Sequence, residues 1–350
     1  MTATTIVYVA CAGSREIHGF HLDTDSGALN PFDVVSVPGG HEPSPSNMPM
    51  ALGPGGTALY AALRTAPFPV TAFAIDPVTG GLTCRGTAAL PAPMAYISVT
   101  AGGRFLMGAS YKEGKLSVSE ISPDGVKAPP VQVVTTPPKA HCIIPGRPEH
   151  VVYATTVEGN AIMVFNLDST TGRLAQAEPH FVACRPGSGP RHLALHPRLD
   201  VLYCVNELAG TLAAFAVQNQ TGALSEMQYQ ALTPPGFAGN ARAADLHLTA
   251  DGRFAYASVR NTNSIAGFCI DPGSGGLSPI GIFPVQASPR SFALDPQDKF
   301  LICAGQDQNT VGVHAIDPAN GGLSPLHSYA VGLNPSWVEI LALPAGVGSR

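Results

Sequence analysis

The residues best suited to chemistry fall into two registers of an internal repeat. Superposing segments on Tyr153, Tyr203, Tyr256 and Ile302 brings His141, Arg191, Ala244 and Arg290 into one register. A second register holds Val157, Glu207, Arg260 and Gln306, and Arg64 and Tyr111 fall near it in earlier segments. The sequence has only 19 Lys and Arg in 350 residues. Several Arg at equivalent positions beside apolar runs therefore stand apart from scattered surface charge. A guanidinium in such a place needs an anion, and its planar fork suits carboxylate or phosphate. Pairing of Arg191 with Glu207 inside one segment is the alternative, in which the charges only staple the fold. His141 adds an imidazole, whose ordinary pKa of ~6.5 suits proton transfer at neutral pH.

Other patterns narrow the chemistry. No G-x-S-x-G elbow is present, so a serine esterase of the α/β-hydrolase kind is unsupported. Paired cysteines and Asp-rich calcium loops are lacking, so no metal is demanded and no cofactor is expected. The glycine pairs at Gly80, Gly275 and Gly321 belong to repeated turns, not to phosphate loops. His192 and His196 flank Arg191, and His247 follows Asp245-Leu246 in a pattern that ties a strand to the preceding loop. His18, His150, His180 and His327 read as surface or strand positions without partners.

The elements that must position these residues are set by the repeat. An acidic or polar residue, a Gly-containing turn and then an apolar residue recur at 23–29, 76–82, 124–126, 168–174, 219–224, 271–277 and 317–323. The final apolar positions lie 44 to 53 residues apart. Between markers the same order of short apolar runs returns, as at 190–196, 201–206, 211–217 and 224–232, and again at 244–249, 254–259, 264–270 and 277–285. Each run is strand-length and bounded by turn residues. Four strands in each of seven units predict an all-β seven-bladed propeller, with four antiparallel strands per blade, as a single domain over 1–350.

The ends are out of phase. The chain opens with runs of second-strand and third-strand type, at 6–10 and 17–22, and closes with a lone first-strand run at 336–343. Blade one therefore takes its innermost strand from the C-terminus, and the joined ends remove the open edges of the ring. First strands line the channel of a propeller. This phase sends His141, Arg191, Arg290, Glu207, Arg260, Arg64 and Gln306 to one central mouth, from seven separate repeats.

Bulk properties agree. Charged residues are 12% of the chain, with 38 Gly and 33 Pro, which favours short strands over helices with wet charged faces. The net charge of −5 argues against nonspecific nucleic-acid binding. No stretch of ~18 apolar residues predicts a membrane span, and residues 1–9 read as a strand without the charged start of a signal peptide. Seven cysteines without CxxC spacing, mostly in apolar runs, suggest buried thiols and a cytoplasmic protein.

Several segments resemble a known family. They are Gly189-Pro190-Arg191-His192, Cys204-Val205-Asn206-Glu207-Leu208, Ala244-Asp245-Leu246-His247-Leu248-Thr249 with Asp251-Gly252-Arg253, Pro289-Arg290-Ser291-Phe292, Ala304-Gly305-Gln306, and Tyr329-Ala330-Val331-Gly332 with Pro335-Ser336-Trp337-Val338. They are similar to the propeller-type (cycloisomerase 2) 6-phosphogluconolactonases of bacteria. The likeness covers nearly the whole chain and is densest from about 185 to 340. It is looser at 44–56 and 91–96, loops that help choose the substrate.

The resemblance implies a seven-bladed propeller hydrolysing 6-phosphoglucono-δ-lactone in the pentose phosphate pathway, without metal. Fungal carboxy-muconate lactonising enzymes belong to the same superfamily. Their His, Arg, Glu and Arg pattern corresponds to His141, Arg191, Glu207 and Arg260. On this reading Glu207 or His141 is the general base, and Arg191 and Arg260 stabilise the oxyanion. Arg64 and Arg290, with Tyr111 and Lys112, hold a phosphate or carboxylate, and His192, His247 and Gln306 complete the substrate-binding set. The partner is a small anionic lactone, and the protein a monomer or weak homo-oligomer. Two alternatives stand beside this: a lactonase or cycloisomerase for a carboxylated, unphosphorylated lactone such as a muconolactone or aldarolactone, and a non-enzymatic binding propeller. The last predicts exposed aromatics on one face, against an aromatic content of 7%.

Overall fold

The computed structural model describes residues 4–40 and 46–343. Ser44 and Pro45 of the loop expected to help choose the substrate lie outside the described residues, as do Met1–Ala3 and 344–350. Seven antiparallel sheets are formed. Among the described residues there is no α-helix, only two 3-10 turns at Pro54–Gly56 and Arg260–Thr262. Among the described residues no helix is long and apolar enough to cross a membrane.

The first strands of the seven sheets are Pro335–Ala342, Met50–Leu52, Tyr96–Val99, Ala140–Pro145, Pro190–Leu195, Ala243–Leu248 and Pro289–Leu294. Each touches the first strand of the next sheet, and the circuit closes. The sheets are thus seven blades around a channel. Blade one is closed as the sequence phase predicts. Pro335–Ala342 pairs antiparallel with Thr5–Cys11, which is followed by Glu16–Leu22 and Leu29–Ser36. Further bonds extend the seam, from Leu343 N to Thr4 O at 2.8 Å and from Ala12 N to Asn334 O at 2.9 Å.

The repeated marker has two jobs. In five of the turns an aspartate side chain (Asp23, Asp76, Asp168, Asp271 or Asp317) accepts backbone N–H bonds from residues just ahead of it. Its carbonyl accepts the N–H of the glycine four residues on. That glycine has φ between 73° and 77° in these turns, where a side chain is disfavoured. In blade five the turn opens one residue earlier than the sequence marker suggests. Gln218, not Asn219, receives Gly222 N at 2.8 Å. The same glycines pack on the preceding blade. Tyr8, Tyr153, Tyr203 and Tyr256 donate their hydroxyls to the carbonyls of Gly80, Gly222, Gly275 and Gly321, at 2.6–2.8 Å. A Cβ on Gly222 would stand 2.5 Å from Val151 of that neighbour. One turn therefore ends a strand and locks two blades together.

Blade three departs from the four-strand expectation. Its outer edge is split into Gly125–Val126 and Gln132–Thr135, both paired with Lys115–Ser122. The 124–126 marker is a tight hairpin, not a strand-opening turn. All seven cysteines are free thiols; five are buried, while Cys84 and Cys269 are exposed. His18 and His327 do have partners: Gly332 N donates to His18 Nε2 at 3.1 Å, and His327 Nε2 lies 3.3 Å from Ser26 O. Exposed aromatics among the described residues are Phe181 and Phe237, on separate segments rather than one face.

Candidate active site

A regular strand shows alternate residues to the channel. The first strands here break that rule near their start. Pairing steps from Pro190↔Asn206 to His192↔Val205, which leaves Arg191 as an extra residue. The same bulge isolates Arg290 between Pro289 and Ser291, and Ser336 between Pro335 and Trp337. In blades four and six, His141 with Cys142 and Ala244 with Asp245 each oppose one residue of the second strand. Hydroxyls repair the interrupted ladders. Cys142 N donates to Thr155 Oγ1 at 3.1 Å, Thr155 Oγ1 donates to Arg191 O at 2.7 Å, and Asp245 N donates to Ser258 Oγ at 3.0 Å. Bulges re-aim side chains. In blades five and seven the bulged Arg191 and Arg290 face one chamber, and their successors His192 and Ser291 another.

The first chamber is a cavity of about 280 Å³ lined by Ser46, Arg64, Ala95, Tyr111, His141, Arg191, Glu207, Arg242, Arg260 and Arg290. Five guanidiniums meet one carboxylate. Arg260 Nη2 is 2.6 Å from Glu207 Oε1, and Arg191 Nε is 3.4 Å from Glu207 Oε2. Arg191 also donates to Ala244 O, and Arg260 Nε donates to Arg242 O at 3.0 Å. Arg64 Nη1 donates to Ser46 Oγ at 2.5 Å. Arg290 makes no hydrogen bond or ion pair with a described residue, and burial followed by repulsion from Arg191 holds its pKa well below the usual. Burial, then Arg260, pulls Arg191 down to about 10, still a cation at neutral pH.

Burial opposes ionisation of Glu207, but Arg191 and Arg260 outweigh it and keep the carboxyl below its ordinary range. Glu207 is therefore a carboxylate spanning two guanidiniums, and a weak base. His141 is 3% exposed. Burial first, and Arg191 second, lower its pKa well below the usual, so the ring is neutral. Its Nδ1 is buried without a partner, which leaves Nε2 as the nitrogen toward the cavity it lines. An excess of fixed positive charge around a neutral imidazole can bind an anion and accept a proton. Among the described residues no cluster has the makings of a metal site.

His141, Arg191, Glu207, Arg260, Arg64, Tyr111 and Arg290 thus share one cavity. They come from six blades, not seven. Four other candidates lie elsewhere. Lys112 lines an adjoining outer cavity that shares Arg64 and Tyr111 with the first. Gln306 does not line the cavity; its Nε2 donates to Ser46 O at 2.8 Å and Asn334 Oδ1 at 2.6 Å, tying loops of neighbouring blades. His192 and His247 line a second chamber of about 290 Å³, with Tyr96, Asp245, Trp337 and Glu339. There Asp245 lies 2.7 Å from His192 Nδ1 and 3.4 Å from His247 Nε2, and its Oδ2 accepts Phe292 N at 3.1 Å. It joins three adjacent blades instead of tying a strand to its own loop.

Arg242 is the lining cation that the two registers miss. A third register could have found it. Lys139, Gly189, Arg242, Ser288 and Asn334 each immediately precede a first strand, and all have φ between 52° and 66°. This left-handed corner turns the chain into the bulge.

The seven-bladed architecture recurs in known proteins. Residues 2–340 match the family model described as lactonase, 7-bladed beta-propeller. A 6-phosphogluconolactonase of Serratia proteamaculans is 36% identical over 337 residues, covering 96% of this chain and 99% of that protein. One from Pectobacterium carotovorum is 36% identical over 341 residues, covering 97% and 99%. The structure of a periplasmic gluconolactonase of Pseudomonas aeruginosa superposes with a TM-score of 0.87 at 28% identity, covering 98% of this chain and 100% of that one. Blades, closure and full-length match together establish that this chain belongs to the lactonase family of seven-bladed β-propellers.

Proposed function

We propose that this chain hydrolyses 6-phosphoglucono-δ-lactone to 6-phosphogluconate. The observation that carries the reading is the set of five guanidiniums around one carboxylate and one neutral, buried histidine. A phosphorylated lactone brings up to two negative charges, which this surplus would compensate. Arg290 and Arg64 hold the phosphate, and Tyr111 closes one wall. His141 Nε2 takes a proton from water as its oxygen bonds the lactone carbonyl carbon. The carbonyl electron pair moves onto oxygen, where Arg191 and Arg260 stabilise it. When the pair returns, the ring C–O bond breaks and the alkoxide takes the proton from His141. Glu207 fixes the two guanidiniums and leaves them a net positive charge. Phosphate binding among the arginines also offsets the repulsion that depresses His141, and so makes it a better base.

All seven blades act as one domain, a monomer or weak homo-oligomer, and the phosphorylated substrate goes with a cytoplasmic location. A second reading, an unphosphorylated or carboxylated lactone, is favoured by the gluconolactonase name of the Pseudomonas relative. A panel of lactones assayed by proton release at fixed pH separates them. The first reading expects the phosphorylated lactone to be opened fastest, and phosphate or 6-phosphogluconate to raise Tm more than simple dicarboxylates. The reverse order in both measurements would overturn it.

A further inference from the structure

We propose that His192 and Asp245, on the second-chamber side of the partition, are positioning residues for His141, and that the three form a proton-holding relay across the channel. The proposal rests on the reading that His141 is the base.

The argument starts from hydrogen-bond capacity. Asp245 is 4% exposed, and its Oδ1 accepts Leu246 N at 3.0 Å in addition to facing His192 Nδ1 at 2.7 Å. A carboxylate only accepts, so the His192 Nδ1 carries the hydrogen. Neutral His192 then has its lone pair on Nε2, and that atom is buried without a partner. His141 has the complementary gap. To take a proton on Nε2 it must carry its own hydrogen on Nδ1, and Nδ1 is buried without a partner. An orphan donor and an orphan acceptor therefore sit in rings whose centroids are 5.2 Å apart, at a tilt of 60°. Two imidazoles joined by a straight N–H···N bond have centroids about 5 Å apart. The spacing of the rings is that of a bonded pair, and turning them toward each other would make the bond. Buried polar atoms are rarely left unpaired, and two complementary ones in neighbouring rings call for a shared role.

The role follows from the charge that appears on His141. When Nε2 takes the proton from water, the ring becomes an imidazolium amid arginines. Donation from its Nδ1–H to His192 Nε2, backed by the Asp245 carboxylate, stabilises that cation until Nε2 protonates the leaving alkoxide. No proton is lost on the way. Arg64, Arg191, Arg290 and Tyr111 face His141 from the first chamber. Tyr96, His247 and Glu339 surround the pair from the second, and Cys142 follows His141 on its own strand.

The test compares His192→Phe with His192→Gln, whose amide keeps both an acceptor for His141 and a donor for Asp245. Each is assayed for lactone opening across pH, with Tm in the presence of inorganic phosphate as the reading of fold and anion site. His192→Phe is expected to lower kcat ~10–100-fold with KM and phosphate protection retained. It should also move the acid limb of kcat/KM to lower pH, since His141 loses the partner of its charged form. His192→Gln should recover most of the loss. Wild-type kcat and acid limb in His192→Phe would overturn the relay while leaving the base assignment standing. Full activity in His141→Ala would instead remove the base, and the relay with it.

Discussion

The two chambers of the channel share the strands Pro190–Leu195 and Pro289–Leu294, yet they impose opposite electrostatics. The first, about 280 Å³, surrounds its contents with Arg64, Arg191, Arg242, Arg260 and Arg290. The second, about 290 Å³, holds Asp245 and Glu339 with His192 and His247. Burial and then Arg191 push His141 down in the first. In the second, burial opposes a charge on His247 but Asp245 outweighs it and raises the pKa. Glu339 is raised to about 7, chiefly by burial, although Trp337 Nε1 donates to it at 2.9 Å. The lesson is that chamber identity follows bulge position. Arg191 and His192 are adjacent in sequence and point to different chambers because one is the extra residue.

The largest test of this division removes the strand that closes the ring and carries Trp337, Val338 and Glu339 of the second chamber. Deleting residues from 336 onward takes away Trp337 and Val338, each under 8% exposed, along with the pairing to Thr5–Cys11. Burial of such side chains contributes about 2 kcal/mol each, and the seam would expose two strand edges. Calorimetry should show loss of the single cooperative transition; an unchanged melt would break the closed-ring account. Next come the first-chamber side chains. His141→Ala and Glu207→Gln should each lower kcat/KM at least ~100-fold with the melt preserved. Glu339→Gln, in the other chamber, should leave kcat/KM within about threefold. Equal losses from Glu207→Gln and Glu339→Gln would erase the functional contrast.

Smaller effects sharpen the contrast. Arg290→Met should weaken phosphate protection of Tm ~10-fold or more, the size expected for one lost charge-assisted contact. The smallest effect is on stability. Glu339 in the folded chain has a pKa of about 7, above its ordinary ~4.3, so the fold favours the neutral acid. Its contribution is full at low pH and fades as pH rises from about 4 through 7. Glu339→Gln should therefore raise Tm by a few degrees near pH 8 and leave it unchanged near pH 4. A uniform shift at both would show that the carboxyl is not held neutral.

Much of this molecule was legible in its sequence because the repeat carries its own alignment. Strands Val201–Asn206, Thr211–Val217, Phe254–Val259 and Ser264–Ile270 match the expected runs end to end, since their apolar residues are bounded by obligatory turns. The registers brought Arg191, Arg290 and His141 together, and Glu207 with Arg260, because equivalent positions of a ring converge on its axis. Gln306 shares that register but differs in reach, and only its neighbours Ser46 and Asn334 explain its use. Sequence order groups Lys112 with Tyr111 and His192 with Arg191 as neighbours, and His247 enters through its place after Asp245-Leu246. Arg242 lies outside both registers, at the position just before a first strand, where the residue type varies from Lys139 through Gly189 to Asn334.

The sequence by itself determined the number of blades, their phase and the closure of blade one by both ends. Periodic turns and apolar runs fix these locally, and the phase of the terminal strand leaves a single way to complete the ring. Only the tertiary structure decided how the channel is divided. A bulge is a relation between two strands, and it is held by hydroxyls such as Thr155 and Ser258 on the partner. Whether consecutive residues such as Arg191 and His192 meet an anion or a carboxylate therefore depended on a pairing that no single segment records.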